Sequence, residues 1–409
     1  MSVCVSQPQQ LSHFEAASRA KAKQPGAVVI GGDYQGLSIV RSLGRKGIPV
    51  CIIDDEKSIS RFSKYATNVV TLTDLRDELT TVESIVSVGE RMELDGWVVF
   101  PTRDEHVAAF SRYRERLGRI FRVPTPRWDC IQWAWDKRNT YHRAEELGIP
   151  IPKTFYPQSL GELDKIGFPP PYAIKPAIKE HFIYSTHAKA WRANTADELK
   201  TLCEKASRIV SINEVMVQEV IPGGGLNQVS YCAFFRNGDA VGKMTACRRR
   251  QHPLEFGRAS TFVETIELPG VEEHSERFLR AIDYYGLVEV EYKLDPRDGV
   301  HKLLDVNART WGYHSLGARA GVDFSYMLYA DQMGLPVEPC TGKAGVSWMR
   351  LTTDLPTAIV ACLRGEISLG SYVRSLRSCN VEAVFSLTDP MPGLAEVFLV
   401  PYLMLKRGF

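Results

Sequence analysis

The sequence predicts an α/β protein of two or three domains, with a doubly wound parallel-sheet domain at its N-terminal end. Three observations carry that expectation. A chain of 409 residues exceeds what one ordinary core organises. Ala27-Val28-Val29-Ile30, a glycine turn, a helical pattern and the apolar run 49–54 form a βαβ start. Further along, period-two strands are joined by turn residues, Arg236-Asn237-Gly238-Asp239 and Asp295-Pro296-Arg297-Asp298-Gly299, so the later part reads as hairpins with α+β character.

The composition is that of a globular protein, 44% hydrophobic and 24% charged, and the net charge of +2 gives no global basis for binding nucleic acid or a membrane surface. Nine cysteines stand singly, with no Cys-x-x-Cys pair, so zinc-ribbon and thioredoxin-like readings lack support. An odd count without a signal-peptide pattern fits a reducing, cytoplasmic compartment. Residues 1–24 read as a flexible leader or a short helix. No segment reaches the roughly 20 apolar residues of a membrane span. The apolar stretch 393–405, interrupted by Glu396 and Pro401, reads as a docked terminal helix or a partner surface, with peripheral membrane contact as the lesser option.

Each element follows from local pattern. The first glycines fall at 31, 32 and 36 and miss the Gly-x-Gly-x-x-Gly spacing. Asp54-Asp55 nevertheless ends the second strand as ribose binding would require. A doubly wound domain that does not itself bind a dinucleotide is the favoured reading. Trp97-Val98-Val99-Phe100 is a third strand, and Pro101-Thr102-Arg103-Asp104-Glu105 is a polar loop at its carboxyl end, where such folds bind small molecules. Pro124-x-Pro126 marks a linker. A helix opens around Trp133-Ala134-Trp135-Asp136-Lys137 and runs to Leu147, stopped by Gly148. In the strand Tyr172-Ala173-Ile174-Lys175-Pro176, burial penalises the ammonium unless an anion meets it. The strand over 215–221 ends in Pro222-Gly223-Gly224-Gly225. A hairpin over 229–246 leads to Arg248-Arg249-Arg250-Gln251-His252-Pro253, a basic loop. That loop is either solvated or a clamp for a substrate carboxylate or a departing phosphate. A helix over about 273–285 follows.

The most informative stretch is Val288-Glu289-Val290-Glu291-Tyr292 with Leu303-Leu304-Asp305-Val306-Asn307-Ala308-Arg309. Alternation puts Glu289 and Glu291 on one face and Asp305, Asn307 and Arg309 on one face. A hairpin would set Glu291 opposite Asp305 and Asn307. Two carboxylates and an amide oxygen are the hard donors that Mg²⁺ takes together with substrate phosphates, and a neighbouring guanidinium grips phosphoryl oxygens. An ordinary charged sheet face accounts for the same residues equally well.

In order, these motifs resemble the ATP-grasp superfamily of carboxylate–amine ligases, which includes D-alanine–D-alanine ligase and biotin carboxylase, and most of all its ATP-grasp carboligase branch. The resemblance covers roughly 27–335 and implies an N-terminal doubly wound domain over 25–125, then a two-lobed ATP-grasp fold over 126–335 with its small lobe near 150–222. The segment 336–409 is left without a role. By position, the resemblance implies that Lys137 and Lys175 contact the phosphate chain of ATP. Gln218, Glu219, Val220 and Ile221 would form the adenine-reading hinge, with a carboxylate on the adenine amino group. Glu291, Asp305 and Asn307 would hold Mg²⁺, as one ion or two and with Mn²⁺ as a substitute. Arg309 would stabilise an acyl phosphate, with Arg248 and Arg250 as the substrate or phosphate clamp.

The chain departs from the family between Lys175 and the hinge. Relatives carry a glycine-rich loop there whose amides cap phosphates, whereas residues 178–189 contain no glycine. Lys179, His181, Ser185, Thr186 and Lys189 are the side chains available to replace those amides. The implied chemistry is ATP-dependent activation of a small carboxylate and its coupling to an amine, with ADP and phosphate released. The implied partners are small-molecule substrates, without nucleic acid, and a homodimer is left open. A nucleotide-binding protein without ligase activity, an ATP-dependent carboxylase and a nicotinamide oxidoreductase are the alternatives.

Overall fold

The computed structural model describes residues 24–223, 227–253, 256–257 and 259–407. The expectation for 1–24 therefore lies outside the described residues except at Gln24, as does the glycine run at Gly224-Gly225. Strands β1 (Ala27–Ile30), β2 (Val50–Asp54), β3 (Asn68–Thr71) and β4 (Val98–Pro101) form an all-parallel sheet in the order β3-β2-β1-β4. Helices α1 (Tyr34–Gly44), α2 (Glu78–Arg91), α3 (Asp104–Arg112) and α4 (Arg114–Leu117) accompany it. The first turn is tight, because a Cβ on Gly36 would meet the Gly31 carbonyl oxygen at 2.2 Å. β1 and β2 are buried throughout, as the apolar runs require of a parallel sheet covered on both faces.

The expected helix over 133–147 is two helices, α5 (Trp128–Trp135) and α6 (Lys137–Glu146). Asp136 breaks the run. It takes extended backbone and its carboxylate accepts from the Arg138 N–H at 2.9 Å, an N-cap that starts the second helix at Lys137. A small antiparallel sheet follows, β5 (Thr154–Phe155), β6 (Tyr172–Pro176), β7 (Trp191–Ala193) and β8 (Val215–Glu219), in the order β5-β8-β6-β7. Helices α7 (Glu180–Thr186) and α8 (Ala196–Ser207) lie between its strands in sequence. The glycine-free stretch thus folds in part as a helix.

The largest sheet runs β13-β12-β9-β10-β11-β15-β16, with β14 (Cys340–Thr341) pairing β10. Its strands are β9 (Gln228–Arg236), β10 (Asp239–His252), β11 (Ala259–Ile266), β12 (Gly286–Asp295), β13 (Val300–Asn307), β15 (Ser347–Met349) and β16 (Val381–Glu382). The Asn237-Gly238 turn has φ of 53° and 81°, the positive pair that a two-residue hairpin turn demands. Both faces of this sheet are buried. On β9, Cys232 and Phe234 face a core shared with β1, α1, Trp311 and Trp348. Tyr231, Ala233 and Phe235 face the opposite core, which holds Phe278 from α9 (Pro269–Ala281).

The remaining helices are α10 (Ser315–Ala320), α11 (Phe324–Gln332), α12 (Leu351–Leu363), α13 (Leu369–Ser378) and α14 (Met391–Arg407). One strand expectation is corrected: 248–252 is not a loop but the end of the 14-residue β10. The segment after 336 completes the sheet through β14, β15 and β16.

Candidate active site

The acidic hairpin forms in the expected register. Glu289 lies opposite Asn307, and Glu291 opposite Asp305. Asn307 Nδ2 donates to Glu291 Oε1 at 2.9 Å and Glu289 Oε2 at 3.1 Å, while its Oδ1 accepts from Arg309 at 3.2 Å. Tyr313 Oη donates to Glu289 Oε1 at 2.6 Å. Burial, then the neighbouring Glu291 charge, raises the Glu289 carboxyl to about 7. Asp305 and Glu291 are held low instead. Burial works against their charge, but Lys137, Lys179 and Lys189 around Asp305, and Arg248, Lys189 and the Asn307 amide around Glu291, together outweigh it.

Cations converge on this cluster from all sides. Lys137, the first residue of α6, pairs with Asp305. Lys175 on β6 donates to Tyr141 Oη at 2.7 Å, and Tyr141 donates to the Leu304 carbonyl at 2.9 Å, which ties the small sheet to β13. Burial, then Lys137, lowers the Lys175 ammonium to about 7. Lys179 pairs with Asp104, and Arg309 grips the same carboxylate through two bonds of 2.8 and 2.9 Å. Asp104 opens α3, so all three sheet units meet at one carboxylate. Lys189 is lowered to about 8 by burial. Arg248 lies 3.4 Å from Glu291 and donates to Gln228 at 2.7 Å.

Lys137, Lys175, Lys179, Lys189, Arg248, Glu291 and Asp305 border one cleft of about 490 Å³ between the small sheet and the large one. Eight Lys and Arg side chains line it against three Asp and Glu, a balance suited to a polyphosphate. Gln218, Glu219, Val220 and Ile221 line it too. Gln218 Nε2 donates to Thr154 Oγ1 at 2.8 Å. Both Glu219 oxygens are engaged, Oε2 by Arg297 at 2.6 Å and Oε1 by Lys302 at 3.2 Å and the Lys153 N–H at 2.9 Å. Glu219 thus lines the cleft as a carboxylate paired with Arg297 and Lys302. Lys293 holds the Ile221 carbonyl at 2.8 Å.

Two expected residues lie elsewhere. His181 sits on α7 with Nδ1 at 2.8 Å from Glu214, half-exposed and away from the cleft. Arg250 makes two bonds to Asp354 at 2.9 and 2.8 Å and lies over the Phe262 and Tyr372 rings. Residues i and i+2 of a regular strand share a face, but the register of β10 against β11 shifts on both sides of Arg250. The bulge turns it away from Arg248.

Sequence reasoning missed Tyr141, Asp104, Arg297 and Lys302 as site residues. Tyr141 had a signal, since it lies four residues after Lys137 on the same helix face. Asp104 had only its place in a polar segment after a strand.

Among the described residues no group of three or more His, Cys, Asp or Glu forms a ready-made metal cage. Mg²⁺ does not need one, because one or two carboxylates suffice when phosphates complete its shell. Glu291 and Asp305, paired in register beside a lysine-lined cleft, fit that requirement.

No family model matches the chain. Over 301 residues it is 23% identical to the D-aspartate ligase of Enterococcus faecium (strain Aus0004), covering 69% of this chain and 70% of that one. Its fold superposes on the L-amino acid ligase from Bacillus licheniformis with a TM-score of 0.60 at 14% identity, over 80% and 79% of the two chains. Biotin carboxylase from Campylobacter jejuni gives a TM-score of 0.62 at 14% identity, over 80% and 75%. All three are ATP-grasp proteins. The fold of this chain is ATP-grasp.

Proposed function

We propose that this ATP-grasp protein is an ATP-dependent carboxylate–amine ligase that activates a small carboxylate as an acyl phosphate and joins it to an amine. The observation that carries this is the single cleft where Lys137, Lys175, Lys179 and Lys189 face the Glu291–Asp305 pair, with Arg309 beside it. The substrates are proposed to include an amino acid, on the strength of the names of the two ligase relatives. The cytoplasm is the proposed setting, where ATP is supplied and thiols stay reduced; the described cysteines are all free.

A carboxylate is a poor electrophile because its oxygen leaves badly. When a carboxylate oxygen takes the γ-phosphoryl group, ADP departs, and the acyl phosphate then offers phosphate as a good leaving group. The four lysines neutralise charge along the phosphate chain. Arg309, held by its two bonds to Asp104 and by bonds to the Thr310 carbonyl and Asn307 Oδ1, places its positive charge beside the Glu291–Asp305 pair, where it would offset the charge of the transferring group. Glu291, Asp305 and Asn307 would hold Mg²⁺, which supplies charge neutralisation at the phosphates when bound. The amine nitrogen attacks the carbonyl carbon, phosphate leaves, and the nitrogen loses a proton. Enclosure between the sheets keeps water from the acyl phosphate.

The test is release of ADP and phosphate from ATP on a panel of amino-acid carboxylates, with and without amines. Amine-dependent release of both, lowered about 10²–10³-fold in Arg309→Lys, is the expected result. Turnover to AMP and pyrophosphate overturns the reading.

A further inference from the structure

The three C-terminal helices are amphipathic in the reverse sense. Along α12 the buried positions include Thr353, Asp354 and Thr357, while Leu355, Ile359 and Leu363, each four residues apart, are 44%, 52% and 84% exposed. On α13 Tyr372 and Ser375 are buried, and Leu369, Val373 and Leu376 face out. On α14 Glu396 is buried against Arg350, and Leu394, Val397 and Phe398 are exposed, Phe398 at 83%. These spacings make one apolar stripe per helix. A helix bordering water turns its polar side outward, so three outward apolar stripes in one segment mark a binding surface.

Charge decides the occupant. Asp354, Asp389 and Glu396 turn inward onto Arg250, Arg41 and Arg350. Glu382 is spent on the N–H groups of Leu351, Val384 and Phe385. Outward remain Arg364, Arg374 and Arg377, with Glu366 as the one exposed acid among the described residues of these helices and their connections. A second copy related by a two-fold axis would set this net-positive patch against an identical net-positive patch. Anionic lipid headgroups offer a phosphate to each arginine and an acyl boundary to each leucine. No described helix is long and apolar enough to cross a membrane.

We propose that the outward face of α12, α13 and α14 docks this protein on an anionic phospholipid bilayer. The inference stands apart from the ligase reading, because none of these residues borders the cleft.

The purified full-length chain is floated with phosphatidylcholine–phosphatidylglycerol vesicles and with phosphatidylcholine alone, at low and high salt. Binding to the anionic vesicles, weakened by salt, is expected. The L363E/F398E variant changes two side chains that are more than four-fifths exposed and is expected to lower binding by about tenfold or more, with thermal unfolding and ATP turnover unchanged. R364E/R377E is expected to remove the difference between the two lipid compositions. Absence of flotation with either lipid overturns the proposal. So does a dimer in sedimentation that L363E/F398E dissociates while vesicles stay unbound, which assigns the face to a second copy.

Discussion

At the scale of single residues the cleft is a contest between desolvation and paired charge. Lys137, Lys179 and Arg309 each have a carboxylate within reach and keep their protons, all three held above their usual range. Lys175 has only the Tyr141 hydroxyl, and burial lowers it to about 7. Bound phosphate supplies the missing counter-charge and restores the proton. Nucleotide binding should therefore take up a proton, and affinity should fall as pH rises from about 7 towards the normal lysine value near 10.4. Calorimetry of ATP-analogue binding in buffers of different ionisation enthalpy measures that uptake. Affinity that rises over this range, or binding without proton uptake at pH 8, would refute it. Lys175 was legible in the sequence because an ammonium inside an apolar strand is a conflict. Asp104 was not, because an acid in a polar segment carries no such conflict, and its role exists only where Lys179 and Arg309 arrive.

At the scale of elements, departures from regular geometry decided which side chains reach the site. The β10 bulge separates Arg248, on the cleft, from Arg250, on Asp354. The helical turn at 180–186 directs His181 to Glu214 while Lys179 before it and Lys189 after it line the cleft. These placements separate function from stability. Arg250→Ala leaves the fully buried Asp354 carboxylate without its cation and should cost about 3–5 kcal/mol in urea unfolding. His181→Ala removes a half-exposed pair and should change stability by less than about 0.5 kcal/mol, with kcat/KM for ATP unaltered. A loss of turnover in the histidine variant would return that residue to the site. The element breaks themselves were only partly legible: Asp136 is a readable N-cap, whereas the bulge leaves no mark in the run Arg248-Arg249-Arg250.

At the scale of the whole molecule, the C-terminal segment fastens the N-terminal domain to the large sheet. Arg41 on α1 donates to Asp389 at 2.9 Å and to the Val384 carbonyl at 2.7 Å, and Asp389 also accepts from Ser63 Oγ at 2.8 Å and the Lys64 N–H at 3.0 Å. Arg350 does the same for α14 through Glu396. β15 and β16 extend the sheet whose opposite edge carries the acidic hairpin. Asp389→Ala strands a buried guanidinium and should lower stability by about 3–5 kcal/mol. Limited proteolysis should then cut first between 340 and 390. Unchanged resistance to protease would show that the tie does not hold the segment in place.

The sequence by itself determined most of the strands, the hairpin register that sets Glu291 opposite Asp305, and Lys175, whereas Lys137 stood out only through the resemblance to the ATP-grasp superfamily. The strands, the register and Lys175 follow from short-range periodicity, turn chemistry or the cost of burying a charge, all of which act between neighbours along the chain. Only the tertiary structure decided that Asp104 joins three units, that Glu219 is tied to Arg297 and Lys302, and that the last helices turn their apolar sides outward. Those outcomes depend on which distant charges meet in the folded chain. Pairing across 78 to 205 residues leaves no periodic trace in the sequence.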